Sequence, residues 1–112
     1  MAPLPKLLSE FVGTFMLVFT VGCNVINGAS PIFAVASIAC VLMVSIYALG
    51  SVSGANFNPA VSVSLGISKK LEWTDVLLYI LVQLGAGAVA SLAFGALTGG
   101  SFVAGELPIV SR

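Results

Sequence analysis

Three long apolar runs divide the chain, and the polar positions between them set its expected architecture. The first extends from Leu7 to Val25, with Ser9, Glu10, Thr14 and Thr20 among its polar interruptions. The second, Ile32 to Leu49, carries no charge, and in the third, Val76 to Leu97, Gln83 is the most polar residue. Each is close to the roughly 20 residues a helix needs to cross about 30 Å of hydrocarbon. Backbone in a bilayer must satisfy its own hydrogen bonds. The runs therefore predict membrane-spanning helices over about 7–27, 32–50 and 75–98.

The stretch from Gly50 to Gly66 fits neither a span nor an ordinary loop. It is too apolar to lie in water, and Gly54, Asn56, Asn58 and Pro59 break it too often for a crossing helix. Asn58 followed by Pro59 is a helix-start pattern, a capping side chain and then proline at the first helical position. A helix from Pro59 to about Ile67 would rise only about 13 Å. Residues of about 53–67 are therefore expected to dip into the bilayer and return. Irregular backbone at that depth is tolerated only within protein or along a water-filled cavity. Ser53, Gly54, Ala55, Asn56 and Phe57 would form the extended limb, with a ladder of carbonyl acceptors. Asn58 would cap the short helix through its side-chain oxygen and keep its NH₂ as a spare donor. That donor, beside a positive helix end, suits a water or alcohol oxygen and disfavours cations. The competing reading is a simple Asn-Pro turn at the membrane surface.

The connections add detail. Asn27 to Pro31 reads as a short turn, with Pro31 early in the second helix. Lys69, Lys70, Glu72, Trp73, Thr74 and Asp75 form a polar cluster in which Thr74 or Asp75 would cap the third span. Residues 101–112 read as an extracytosolic tail or the start of a longer connection, leaving 1–100 as the helical unit. With three crossings, Lys6, Lys69 and Lys70 fall on one side and Arg112 on the other, which puts the N-terminus in the cytoplasm.

Composition narrows the function classes. Of 112 residues, 59% are hydrophobic and 7% charged, against about 25% charged in soluble domains. A lipid bilayer is the expected surrounding. Four basic and four acidic residues cancel, and neither sign forms a patch suited to nucleic acid or anionic lipid. There is no histidine. Cys23 and Cys40 sit apart in apolar runs and read as small buried hydrophobes. Metal, cofactor and enzymatic chemistry all lack their residues. The first run also invites comparison with a signal peptide, but Glu10 is misplaced in such a core, and Thr20 stands where a lipoprotein site usually has leucine.

Ser53-Gly54-Ala55-Asn56-Phe57-Asn58-Pro59-Ala60-Val61 resembles the first signature loop of the aquaporin and aquaglyceroporin family, Ser-Gly-x-His-x-Asn-Pro-Ala-Val. Glu10-Phe11-Val12-Gly13-Thr14-Phe15 is similar to the family's first-helix motif, and Tyr79 to Gln83 with Gly85 and Gly87 to its third helix. The resemblance covers nearly the whole chain. It implies an all-α membrane protein with three transmembrane helices and one re-entrant half-helix, which is half of an aquaporin-like fold. It also implies that Glu10 and Gln83 hydrogen-bond the backbone of the re-entrant loop. The alternatives are a solvated Glu10 at the cytoplasmic rim and a Gln83 that merely links helices. Gly87, Ser91 and Gly95 recur every four residues and would admit a closely packed neighbour.

The departures from the family pattern bear on function. Asn56 stands in place of the family histidine, and Ile38 falls where the second helix contributes to the narrow filter. Only one Asn-Pro-Ala is present, whereas the family pore joins two inverted repeats. Ending near the handover between repeats suits a fragment, and beginning at Met1 suits a native N-terminus. Two readings follow. In the first, the chain is a half-channel for water or small neutral solutes, completed by a complementary half. In the second, it is a non-conducting accessory subunit of a larger membrane complex.

Overall fold

The computed structural model describes residues 1–98, so the tail expected over 101–112 lies outside the described residues. Four helices follow in order: α1 (Leu4–Ile26), α2 (Pro31–Ser53), α3 (Pro59–Ile67) and α4 (Trp73–Leu97). Three are long and apolar enough to cross a membrane. The nine residues of α3 are not.

Local chemistry accounts for the bounds. Helix α1 starts at Leu4, ahead of the expected residue 7, because Pro5 in the first turn needs no N–H partner there. Ser30 caps α2 by accepting the Phe33 N–H at 3.3 Å, and Pro31 is the first helical residue. This helix passes the expected end at Gly50 and stops at Gly54, whose φ of 89° only glycine adopts without strain. Ser53 is thus the last residue of α2 and not part of an extended limb. Helix α4 starts at Trp73 with Glu72 as the N-cap position, and no side chain caps it. Thr74 and Asp75 lie inside the first turn, where the Asp75 charge favours the positive helix end without closing a cap.

Helix α1 packs against both α2 and α4, and α3 packs on α4. The outward faces are apolar and exposed: Val35, Met43 and Tyr47 on α2, and Leu77, Leu81 and Leu92 on α4. Almost none of α2 is buried. A surface of this kind requires lipid or further protein around it. Cys23 is half-buried and Cys40 exposed on α2, both as free thiols, so neither is the buried hydrophobe that the sequence suggested.

Close approach depends on glycine at a few points. A Cβ on Gly13 would overlap the Phe57 ring, and one on Gly22 the Phe94 ring. Phe57 is only 2% exposed, so its ring is held close against α1. Gly13→Ala is therefore expected to destabilise the fold by about 1–3 kcal/mol. Gly85→Ala, at a position with nothing within 4 Å, should be neutral. Unfolding midpoints in mixed micelles measure both, and equal effects at the two positions would refute the clash.

Candidate functional site

The turn between α2 and α3 is built on unusual backbone. Gly54, Ala55 and Phe57 all have positive φ, at 89°, 54° and 54°. Left-handed geometry at a non-glycine residue costs roughly 1–2 kcal/mol, so neighbouring groups must hold the turn in place. Glu10 does much of this. It is completely buried, and its Oε1 accepts the Ser53 hydroxyl at 2.7 Å and the Asn56 N–H at 2.9 Å. Its Oε2 accepts the Phe57 N–H at 2.7 Å and the Gln83 amide at 2.9 Å. One carboxylate thus ties α1 to the end of α2, to the turn and to α4.

Gln83 reaches the turn through side chains, not through loop backbone. Its Nε2 donates to Glu10 and, at 3.0 Å, to Ser62 Oγ. Asn56 also donates to Ser62 Oγ, at 3.1 Å. The Asn56 side chain is buried and bound to α3, so it is not presented to a cavity. Tyr79 donates its hydroxyl to the Ser53 carbonyl at 2.8 Å, and Ser9 donates to Ser53 Oγ at 3.1 Å. Ser9, Ser62 and Tyr79 complete the network, and sequence reasoning did not assign them to it. The spacing did hold a signal: Tyr79 and Gln83 lie four apart, as do Asn58 and Ser62, so each pair shares a helix face.

Beyond this network the turn presents Asn58, Pro59 and Ala60. Asn58 is extended, with φ −157°, and its Oδ1 accepts the Ala60 N–H at 2.8 Å. Its Nδ2 donates to no described residue, and the side chain is exposed. The carbonyls of Gly54, Ala55, Asn56 and Phe57 likewise accept no hydrogen bond from described residues. A cavity of about 510 Å³ opens at this tip. Phe57, Asn58 and Pro59 form its floor, with Thr14, Leu17, Val18 and Val21 from α1 and Gln83, Leu84, Gly87 and Ser91 from α4 on its walls. Thr14 lies about 15 Å along α1 and Gly87 about 21 Å along α4, so the tip sits near the middle of the spans. Ile38 is half-exposed on α2 and is not among the lining residues. Gly87 and Gly95 face open space, and Ser91 bonds back to the Gly87 carbonyl at 2.8 Å. No helix of the described chain occupies that stripe.

The family model described as major intrinsic protein matches residues 2–108. The chain belongs to the major intrinsic protein family. It is an integral, multi-pass membrane protein with half of the aquaporin fold.

Members of this family with curated descriptions show the same overlap. A glycerol uptake facilitator protein-like 6 from Lactiplantibacillus plantarum is 38% identical over 89 residues, covering 79% of this chain and 41% of the relative. Probable aquaporin NIP4-2 from Arabidopsis thaliana is 38% identical over 94 residues, covering 78% of this chain and 33% of the relative. Aquaporin NIP3-1 from the same plant is 42% identical over 94 residues, covering 77% and 28% respectively. The chain spans less than half the length of these relatives. No solved structure matches it.

Proposed function

We propose that this chain supplies one Asn-Pro-Ala half-pore for passive transport of water or small neutral solutes, and that a complementary repeat or subunit completes it. The observation that carries the reading is Asn58: its oxygen is committed to the cap at Ala60, and its NH₂ points unpaired from the tip. A donor beside the positive end of α3 offers a hydrogen bond to a passing oxygen and repels cations. The unbonded carbonyls of residues 54–57 give the matching acceptors. Neutral solutes would exchange one partner for the next along this path.

The open cavity and the unoccupied Gly87–Gly95 face support the need for a second half. Left to lipid, the free carbonyls and the Asn58 amide would be costly to desolvate. Lys6, Lys69 and Lys70 favour a cytoplasmic N-terminus. Proteoliposomes test the proposal. Stopped-flow light scattering should detect water or glycerol flux when the chain is combined with a complementary half, and none from the chain alone. Flux from the 112-residue chain by itself would overturn the need for completion. Absence of flux from the assembled pair would favour the accessory-subunit reading.

A further inference from the structure

A second cavity, of about 270 Å³, lies in the groove between α1 and α2 beside the turn at residues 27–30, and shares no residue with the one at Asn58. Asn24 lines it and is 8% exposed. Its Nδ2 donates to the Thr20 carbonyl at 2.8 Å and to Ser37 Oγ at 3.1 Å. Among the described residues nothing donates to Asn24 Oδ1, and the Ser37 hydroxyl donates to nothing. An acceptor and a donor with no partner among the described residues thus face one cavity. Phe33 and Ala29 give it an apolar side, and the half-buried thiol of Cys23 opens onto it.

The lining selects for neutral chemistry. No acidic or basic side chain lines the cavity. The negative end of α1 and the positive end of α2 flank the same turn, so their dipoles oppose one another and favour neither ion. The volume exceeds the roughly 30 Å³ share of a single water. We propose that this groove binds a small neutral polyol, one hydroxyl donating to Asn24 Oδ1 and accepting from Ser37, with the carbon chain against Phe33. The site lies outside the proposed pore and does not depend on that reading.

Cys23 makes the site measurable without transport. In lipid vesicles carrying the Cys40→Ser chain, a small methanethiosulfonate reagent is expected to modify Cys23. Glycerol should slow that modification severalfold. Asn24→Leu should keep the unprotected rate and lose the protection, and Ser37→Ala should weaken the protection. Equal rates with and without glycerol would overturn the proposal. Protection surviving in Asn24→Leu would also overturn it, since glycerol would then act without its acceptor. An unreactive Cys23 in the parent would count equally against it, because the cavity would be closed.

Discussion

Asn58→Asp is expected to lower flux through the completed pore at least about tenfold, the effect of losing one hydrogen bond worth roughly 1.4 kcal/mol. Aspartate still caps α3, because its oxygen can accept the Ala60 N–H as Asn58 Oδ1 does at 2.8 Å. The fold should survive. What changes is the tip: two N–H donors vanish and a negative charge appears near mid-bilayer, where it is costly. Asn58→Ser separates these effects, since serine caps without charge and without the amide, and its flux should fall between the two. Stopped-flow rates on matched proteoliposomes measure the series, with circular dichroism to show intact helices. A wild-type rate in Asn58→Asp would remove this residue from the conduction path.

Glu10→Gln should have the largest effect on stability. The substitution preserves shape almost perfectly, yet all four partners of the carboxylate are donors: Ser53 Oγ, the N–H groups of Asn56 and Phe57, and Gln83 Nε2. Whichever oxygen becomes NH₂ then confronts two of them. The loss of two charge-assisted bonds should cost about 3–6 kcal/mol, given roughly 1.5–3 kcal/mol for each. Faster amide hydrogen exchange at Asn56 and Phe57 would report a loosened turn, and the unfolding midpoint in mixed micelles would drop. A variant as stable and as slow to exchange as the parent would show that the turn holds itself.

These two residues also show how far the chain could be read before its structure was known. Helix length and polarity were legible because a bilayer leaves few options for backbone, so three spans and a short helix follow from apolar runs and an Asn-Pro start. The free amide of Asn58 was legible for a similar reason, since capping uses only one end of the side chain. The partners of Gln83 were not. Loop backbone and the buried side chains of Glu10 and Ser62 compete for the same amide, and only three-dimensional packing decides between them. Ser62 itself looked like any serine on a short helix, yet it is fully buried and joins Asn56 to Gln83. The end of α2 is ambiguous in sequence because Gly50 and Gly54 are both plausible stops. Only the positive φ at Gly54 separates them. Ile38 is half-exposed on α2, while the cavity at the Asn58 tip is walled by α1 and α4.

The left-handed residues before Asn58 bear on how the protein is made. Ribosomal synthesis delivers Glu10 early and Gln83 much later, 73 positions downstream. Until α4 enters the membrane, the strained bend lacks Gln83 as well as the Tyr79 brace on Ser53. Insertion should therefore pass through a two-helix hairpin with a slack segment behind it. The arrival of α4 fastens that segment into its final shape.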